Sequence, residues 1–441
     1  MSEVQEGRGL RVGLIGGGQL ALMLAQACRR QNHSPIVLLR SPGEPAATAA
    51  EELLVGELDD RRAISQLFAR VDVVTIENEF LNLDVIRQVM QEHPGVPLWP
   101  APRTIAVAQD KLAQKELWTT LGIPTAPYQV LPSNPGSRDI EAVRERFDEG
   151  LVLKWSRFGY DGRGNYLLRP AVTDVMAALA FCAAGEAKGA KVYAERMIDF
   201  SEEVAMVSTR APNADQVFWP LVLTHQDHGV CRDVLGPATK LGIDAALETQ
   251  AQSIVASIAR ELAVCGTFAV EFFVTEAGLL VNEMAPRVHN SGHYTLWRDD
   301  LSQFDSHIEA VTQTTLSQPR VTQLFVMRNL LGVWGSQPRK TPAKLEFATP
   351  PGVEAYWYGK TSVSAGRKMG HLNGRATTLD ELKALQPTMT EYEQALWTKL
   401  GCEGQEPSGK DAITEHAKTT AAKAEATGSE RSSSEPAPPG A

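Results

Sequence analysis

The sequence has few cysteines, no long apolar run and no excess of basic residues, and each absence excludes a class of protein. Five cysteines are scattered along 441 residues without a CxxC pair, so neither a disulfide framework nor a zinc knuckle is expected. No apolar stretch is long enough to cross a bilayer, and residues 1–10 lack the apolar core of a secretory signal. The net charge of -10 argues against general nucleic-acid binding. We therefore expect a cytoplasmic protein without membrane or nucleic-acid partners.

The pattern of apolar segments predicts several domains, as the length of 441 residues requires. Strands and helices alternate from residue 10 to 92, which is the βαβ pattern of a parallel sheet. Strand-like runs recur from 151 to 283, which indicates a mixed α+β unit. We expect α/β and α+β domains at 1–103, 104–305 and 306–400. The polar, small-residue composition of 401–441 predicts a disordered tail.

Two further predicted elements are each expected to be uninterrupted. One helix is expected from Thr104 to Leu121, because Gly122 and Pro124 form a helix stop after it. One strand is expected from Val217 to Leu223.

A glycine cluster follows the first predicted strand. Gly16, Gly18 and Ala21 match the GxGxxA fingerprint, in which glycines let the backbone approach a phosphate at a helix N-terminus. The acidic residue that binds a ribose at the end of the next strand is absent, and Arg40 stands there instead. Three interpretations stay open: a tight turn without ligand, a site for another anion, and an NADP site.

A second glycine loop begins after a lysine. Lys154 ends an apolar strand, where an ammonium is costly unless an anion pairs with it. Gly159, Gly162 and Gly164 follow and could fold backbone N–H groups over phosphates, although no Walker sequence is present. A surface turn is the alternative, and Lys154 favours phosphate binding.

Two carboxylates lie on a predicted hairpin. A three-residue loop at 276–278 would set Glu271 directly opposite Glu283, with Cβ atoms about 4.5–5.5 Å apart. Like charges repel there unless a cation lies between them, and hard oxygen ligands that leave room for phosphates suit Mg²⁺. A four-residue loop would instead put the two side chains on opposite faces.

The run Asn282–His293 directly after these strands is dense in polar groups. It contains a carboxylate, a guanidinium, two imidazoles and two amides within twelve residues. Core packing does not account for this density, whereas a site that handles anions and a metal does.

Five motifs stand out along the chain: Gly16–Leu20 (GGGQL), Ala108–Lys111 (AQDK), Gly159–Gly164 (GYDGRG), Asn282–His293 (NEMAPRVHNSGH) and Gly366–His371 (GRKMGH). With these motifs the chain resembles the ATP-grasp carboxylate-amine ligases and, more narrowly, the 5-(carboxyamino)imidazole ribonucleotide synthase family of purine biosynthesis. The resemblance implies an ATP-grasp fold with an N-terminal Rossmann-like domain and a small C-terminal β-rich domain. The implied reaction carboxylates 5-aminoimidazole ribonucleotide with ATP and bicarbonate, through carboxyphosphate, in a homodimeric enzyme.

The resemblance also implies roles for individual residues. ATP would be contacted by Lys111, Lys154, Gly159, Tyr160, Asp161, Gly162, Arg163, Gly164, Asn165, Glu195, Arg196, Met197, Ile198, Glu203, Gln226, Asn282 and Glu283. Mg²⁺ would be bound by Glu271 and Glu283. The ribonucleotide would lie between domains and be contacted by Gln19, Glu79, Tyr160, Lys360 and Arg367. The catalytic residues would be Lys154, Tyr160, Arg287, His289 and Asn290, of which the last three would face the bicarbonate.

Three departures from the family pattern are visible. Glu77–Phe80 reads ENEF where EFEN is usual, Ser364 replaces an arginine, and Gln226 aligns with a histidine, with His225 adjacent. Competing hypotheses are a formate-dependent purine transformylase, an NADP-dependent oxidoreductase built on the first glycine cluster, and a non-catalytic nucleotide sensor.

Overall fold

A computed structural model describes residues 9–147, 150–159, 164–168, 174–297, 300–333, 339–345 and 348–402. The described residues form two compact units. The large unit lies within Met1–Thr125 and Asp199–Gln405, and the small unit lies within Ala126–Ile198. Among the described helices, none combines the length and the apolarity of a membrane span. The predicted tail at 401–441 lies outside the described residues from position 403 onward.

The large unit begins with a parallel sheet, as the alternating pattern predicts. Its strands are β1 (Arg11–Ile15), β2 (Ser34–Leu39), β3 (Glu52–Val55), β4 (Val73–Ile76) and β5 (Leu98–Trp99), in the order β3-β2-β1-β4-β5. Its helices are α1 (Gln19–Arg30), α2 (Arg61–Phe68) and α3 (Leu83–Glu92). Sequence reasoning missed β3, α2 and β5. Strand β3 is an edge strand of four residues, and its apolar run of three is too short to identify a strand by its pattern.

The helix expected from Thr104 to Leu121 is wrong in one respect, because two helices occupy that stretch. They are α4 (Pro102–Ala108) and α5 (Lys111–Thr120). The Asp110 carboxylate accepts hydrogen bonds from the N–H groups of Leu112 and Ala113 and so caps a new helix. This break places Lys111 at the first turn of α5.

The small unit is a sheet covered by two helices. Its elements are β6 (Tyr128–Val130), α6 (Ser137–Arg146), β7 (Leu151–Trp155), β8 (Asn165–Leu168), α7 (Val175–Glu186) and β9 (Val192–Arg196), with sheet order β6-β9-β7-β8. The Trp155 ring stacks on Phe181 with ring centroids 5.1 Å apart, which packs α7 on the sheet. Strands β7 and β8 are antiparallel, so the second glycine loop connects the two strands of a hairpin.

The remainder of the large unit is built on a long antiparallel sheet. Its elements are β10 (Glu202–Arg210), β11 (Gln216–Phe218), β12 (Val222–Asp227), β13 (Val230–Gly236), α8 (Ala245–Glu261), β14 (Gly266–Thr275), β15 (Gly278–Ala285), α9 (Gln303–Val311), β16 (Leu324–Leu331), β17 (Arg339–Lys340), β18 (Val353–Trp357), β19 (Ser362–Val363), β20 (Lys368–Ala376) and α10 (Leu379–Lys399). The single strand expected from Val217 to Leu223 is wrong, because β11 ends before Pro220, which has no N–H to donate to a ladder.

Three strands after residue 306, β16, β18 and β20, continue this sheet, whereas β17 and β19 pair with each other in a separate two-stranded sheet. The order of the long sheet is β15-β14-β10-β12-β13-β16-β20-β18, with β11 paired to β10, so β16 joins the C-terminal strands directly to β13. One apolar cluster accordingly extends from Val204 and Phe268 to Met389 and Trp397. The domain limits at 103, 305 and 400 stay a prediction.

Candidate active site on the β14–β15 hairpin and the loop after it

The β14–β15 hairpin sets Glu271 directly opposite Glu283, as predicted, but by a different route. Thr275 pairs with Gly278, so the connecting loop has two residues and the three-residue loop is wrong. A two-residue loop alone would pair Glu271 with Asn282. A bulge between the pairs Phe272–Val281 and Glu271–Glu283 leaves Asn282 as the extra residue and restores the pairing. Both carboxylates therefore project from one face of the sheet.

A third carboxylate shares that face. In the ladder between β10 and β14, Ala205 is opposite Glu271, and Glu203 lies two residues from Ala205 on the same side of β10. Burial, followed by the charges of Glu283 and Glu203, raises the pKa of Glu271 to about 8. The Lys111 ammonium opposes this effect and forms an ion pair with Glu283. The hairpin therefore concentrates negative charge that a cation would relieve.

This donor set fits Mg²⁺. Two facing carboxylates supply hard oxygen ligands, and a carboxyl group with a raised pKa gains the most when a cation stabilises its ionised form. Within the described residues, no group of three or more His, Cys, Asp or Glu side chains forms a metal centre. A site with two carboxylates suits a metal that takes its remaining ligands from phosphates and water.

The loop after β15 carries the next charged pair. Arg287 donates from Nε to Glu79 Oε2 at 2.7 Å and from Nη2 to Glu79 Oε1 at 3.3 Å, which is a two-point contact. Glu79 follows β4, so this pair joins the parallel sheet to the loop after the hairpin. Two residues that the sequence assigned to bicarbonate and to ribonucleotide are thus in direct contact.

His289 lies beside Glu271, and Asn290 next to it contacts strand β16. The Ser291 N–H donates to His289 Nδ1 at 3.3 Å, so the neutral imidazole carries its proton on Nε2. That Nε2 is 3.5 Å from Glu271 Oε1. The Asn290 amide forms a reciprocal pair with Asn329, at 2.9 and 2.7 Å. Sequence reasoning missed Asn329, which lies inside the apolar pattern of β16.

In the small unit, a carboxylate of the chain pairs with the Lys154 ammonium. Lys154 Nζ donates to Glu195 Oε1 at 2.5 Å, and both residues are buried. Of the predicted hinge, Glu195 and Arg196 end β9. The hinge then continues through Met197, whose N–H donates to Gly150 O at 2.9 Å, and Ile198. The argument that Lys154 requires an anion is confirmed, but a carboxylate of the chain meets the requirement, and the phosphate contact stays a prediction.

The second glycine loop is described only in part. Tyr160, Asp161, Gly162 and Arg163 lie outside the described residues. Gly164 has φ +77° and its carbonyl accepts from the Trp155 N–H at 2.9 Å. Gly159 precedes the gap, and Asn165 is the exposed first residue of β8.

The first glycine cluster holds a carboxylate of the chain. The Gly18 N–H donates to Glu77 Oε2 at 2.7 Å, and burial raises the pKa of Glu77. A Cβ atom on Gly16 or Gly18 would lie 2.5 or 2.0 Å from a Glu77 carboxylate oxygen. These glycines are therefore needed for Glu77 to reach the N-terminus of α1. This geometry gives no support to the NADP interpretation.

The remaining predicted residues lie on different elements of the large unit. Gln19 is the partly buried first residue of α1. Lys360 is buried, donates to Lys368 O at 2.5 Å and opposes the raised pKa of Glu77. Arg367 is exposed and donates to Ser362 O at 2.7 Å, whereas Gln226 is exposed on β12.

Comparisons with protein families match three segments. Residues 10–109 match the ribonucleotide synthetase preATP-grasp domain, and residues 116–304 match the ATP-grasp domain. Residues 326–385 match the phosphoribosylaminoimidazole carboxylase C-terminal domain.

Individual relatives agree with these matches. The N5-carboxyaminoimidazole ribonucleotide synthase of Synechococcus elongatus is 34% identical over 392 residues, which are 88% of this chain and 95% of that protein. The crystal structure of N5-carboxyaminoimidazole ribonucleotide synthetase from Thermus thermophilus matches with a TM-score of 0.75 and 32% identity over 86% of this chain and 98% of that one. An Aspergillus clavatus N5-carboxyaminoimidazole synthase, crystallised with ADP and 5-aminoimidazole ribonucleotide, matches with a TM-score of 0.74 and 28% identity over 88% and 99%.

Proposed function

This chain belongs to the N5-carboxyaminoimidazole ribonucleotide synthase family of ATP-grasp ligases, and we propose that it uses ATP and bicarbonate to carboxylate the exocyclic amine of 5-aminoimidazole ribonucleotide. ADP and phosphate are the other products, and the reaction belongs to purine biosynthesis. The observation that carries the proposal is the Glu271–Glu283 pair beside Lys111, followed at once by the polar loop from Arg287 to Asn290. A cytoplasmic location and a homodimer remain predictions.

Mg²⁺ would be held by Glu271 and Glu283, and it would neutralise charge on the phosphates of ATP. Lys111, at the start of α5, would share this role and exchange its contact with Glu283 for a phosphate oxygen. Asn282, the bulge residue, is placed next to Glu283 and would donate to the same phosphates. Electrostatic stabilisation of this kind is the main contribution that proteins make to phosphoryl transfer.

In the small unit, Lys154 would contact a phosphate, and the hinge from Glu195 to Ile198 would hold the adenine. The buried Lys154–Glu195 pair keeps the ammonium in one position before ATP arrives. Such preorganisation lowers the entropy cost of meeting a phosphate. Glu203, which lies on the same face of the sheet as Glu271, would hold the ribose.

The carboxylation step would take place at the loop after β15. Bicarbonate oxygen attacks the γ-phosphorus of ATP to give carboxyphosphate and ADP. The amine then attacks the carboxyl carbon of carboxyphosphate, or of the carbon dioxide released from it, while phosphate leaves and the amine gives up a proton. Arg287 would stabilise the negative charge, and its contact with Glu79 fixes the guanidinium. The Nε2–H of His289 would donate to an oxygen of the transferring group.

One assay tests the activity. The protein is incubated with ATP, Mg²⁺, bicarbonate and 5-aminoimidazole ribonucleotide, and ADP release and fixation of labelled bicarbonate are followed together. We expect ADP release to depend on the ribonucleotide, and Glu283→Gln to abolish turnover. Hydrolysis that the ribonucleotide does not stimulate would overturn the proposal, and a rate for Glu283→Gln within a few-fold of wild type would overturn the metal assignment.

A substitution of Lys360 tests ribonucleotide binding independently of ATP binding. This buried ammonium would hold the phosphate of the ribonucleotide, so Lys360→Ala should raise the KM for the ribonucleotide at least about tenfold and the KM for ATP less than about twofold. Lys340→Ala, which removes an exposed lysine on β17, is the matched control. Equal increases in both KM values for Lys360→Ala would contradict this role.

A further inference from the structure

A buried glutamine holds the backbone of the loop on which the proposed chemistry depends. Gln303, the first residue of α9, is 0% exposed. Its Oε1 accepts from the His289 N–H at 2.9 Å, and its Nε2 donates to the His289 carbonyl at 2.7 Å. The side-chain amide thus pairs with both polar groups of one backbone residue, as a neighbouring β-strand would.

The same amide fixes a second histidine and requires a glycine. Gln303 Nε2 is 3.1 Å from His293 Nδ1, which must act as the acceptor. Burial, followed by the neighbouring basic groups, lowers the pKa of His293 well below its usual value. A Cβ atom on Gly292 would lie 2.6 Å from Gln303 Oε1, so only glycine lets the loop come this close.

A second buried amide holds the loop from another side. Asn329 on β16 is 0% exposed. Its Nδ2 donates to Asn290 Oδ1 at 2.7 Å and to Cys231 O at 2.9 Å, while its Oδ1 accepts from Asn290 Nδ2 at 2.9 Å. The Asn290 side chain therefore has one orientation, set by a strand of the main sheet.

We propose that Gln303 and Asn329 form an amide clamp of two positioning residues that hold His289 and Asn290 in register with Glu271, so that carboxyphosphate is captured by the amine and not by water. The inference rests on the proposed function. Neither side chain needs to contact a substrate, because both act through the loop. A displacement of reacting groups by about 1 Å is enough to lower the rate of a step about a hundredfold.

The clamp predicts how tightly ADP release is coupled to the fixation of bicarbonate. ADP release reports formation of carboxyphosphate, for which the loop needs only to hold bicarbonate, whereas fixation also needs the loop to hold carboxyphosphate against the amine. A loosened loop would therefore lower fixation more than it lowers ADP release, because water would destroy part of the intermediate. A purely structural role would lower both rates in the same proportion, since both would follow the fraction of folded enzyme.

The test measures ADP formed per labelled bicarbonate fixed, in saturating substrates, for the whole chain. Gln303→Glu and Asn329→Asp keep volume and one acceptor but lose the donors, and Gln303→Met loses the whole amide. Ser208→Ala is the matched control, because it removes a buried hydrogen bond of 2.8 Å to Val217 O in the same sheet, away from the loop. We expect the ratio to stay near one for wild type and Ser208→Ala.

In the clamp variants the ratio should rise at least about fivefold. Because it is a ratio, it does not depend on how much of each variant folds. A ratio that stays near one in Gln303→Glu and Asn329→Asp, whatever their rates, overturns the clamp and leaves the proposed function standing. A wild-type enzyme without ribonucleotide-dependent ADP release overturns both.

Discussion

Replacing Glu271 with glutamine should stabilise the protein while it abolishes activity. Burial and the charges of Glu283 and Glu203 raise the pKa of Glu271 from 4.5 to about 8. Between these values the folded state binds more protons at this site than the unfolded state does. Stability at this site is therefore greatest at low pH and falls as the pH rises through that window.

The size of the expected stabilisation follows from the pKa shift of Glu271. Each pKa unit corresponds to about 1.4 kcal/mol, and the unfolded chain ionises this carboxyl at pH 7 while the folded chain holds it protonated, so taking up that proton costs roughly 3 kcal/mol. The Glu271 side chain is 26% exposed, and solvent screening reduces the cost to about 1–2 kcal/mol. Glutamine keeps the shape without the charge, so the variant should unfold about 2–5 °C higher near pH 8, in buffer without metal or nucleotide.

Thermal unfolding at pH 5, 6.5 and 8 measures this effect. The difference between Glu271→Gln and wild type should be small at pH 5 and grow with pH. Glu276→Gln is the matched control, because it makes the same charge change on the exposed turn of the same hairpin and should leave the pH dependence unchanged. A Glu271→Gln variant that is less stable than wild type at pH 8, or a difference that does not vary with pH, would refute the reasoning.

Two further predictions concern the other buried carboxylates. Lys154→Met should destabilise the protein by about 3–5 kcal/mol in urea unfolding because it leaves Glu195 buried without its ammonium, and adding Glu195→Gln should recover most of that loss. Similar stabilities of the single and double variants would contradict the pairing. Gly18→Ala should lower stability by about 1–3 kcal/mol, since its Cβ would lie 2.0 Å from Glu77 Oε1. Gly43→Ala, with its nearest atom at 3.8 Å, should not, and equal melting temperatures for both variants would show that Glu77 can move freely.

Much of the fold was predictable because its strands and helices have strong periodic patterns. The alternation from residue 10 to 92 gives the parallel sheet, and the apolar runs around Glu271 and Glu283 give the hairpin. Elements with only a short apolar run were missed, as the four-residue edge strand β3 shows. Breaks were also missed where one side chain decides the outcome, as Asp110 does by capping α5.

The hairpin shows a limit of a different kind. A three-residue loop and a two-residue loop followed by a bulge at Asn282 give the same facing pair of carboxylates. Side-chain spacing reports only the total number of residues between the two positions, so it cannot tell where the extra residue lies. The location matters for chemistry, because the bulge leaves Asn282, the residue before Glu283, as the extra residue in the strand pairing.

The amide clamp was beyond sequence reasoning for a related cause. Gln303 and Asn329 lie 14 and 39 residues from the loop positions that they hold, and neither carries a charge that would make burial conspicuous. A pattern can show that a loop is rich in polar groups, but not which distant amide fixes it. The signal was present only indirectly, in Gly292, whose missing side chain makes room for Gln303.

The ion pairs bear on how a chain of net charge -10 can bind anionic substrates. The three cations that sequence reasoning assigned to ATP phosphates and bicarbonate within the described residues are paired with carboxylates of the chain: Lys111 with Glu283, Lys154 with Glu195, and Arg287 with Glu79. A buried or half-buried cation without a partner would be costly, so these carboxylates hold the cations in place. A bound phosphate must then share its cation with a carboxylate that repels it, unless another cation compensates. Mg²⁺ at Glu271 and Glu283 would supply that compensation at Lys111, which gives a physical reason why ATP and metal should bind together.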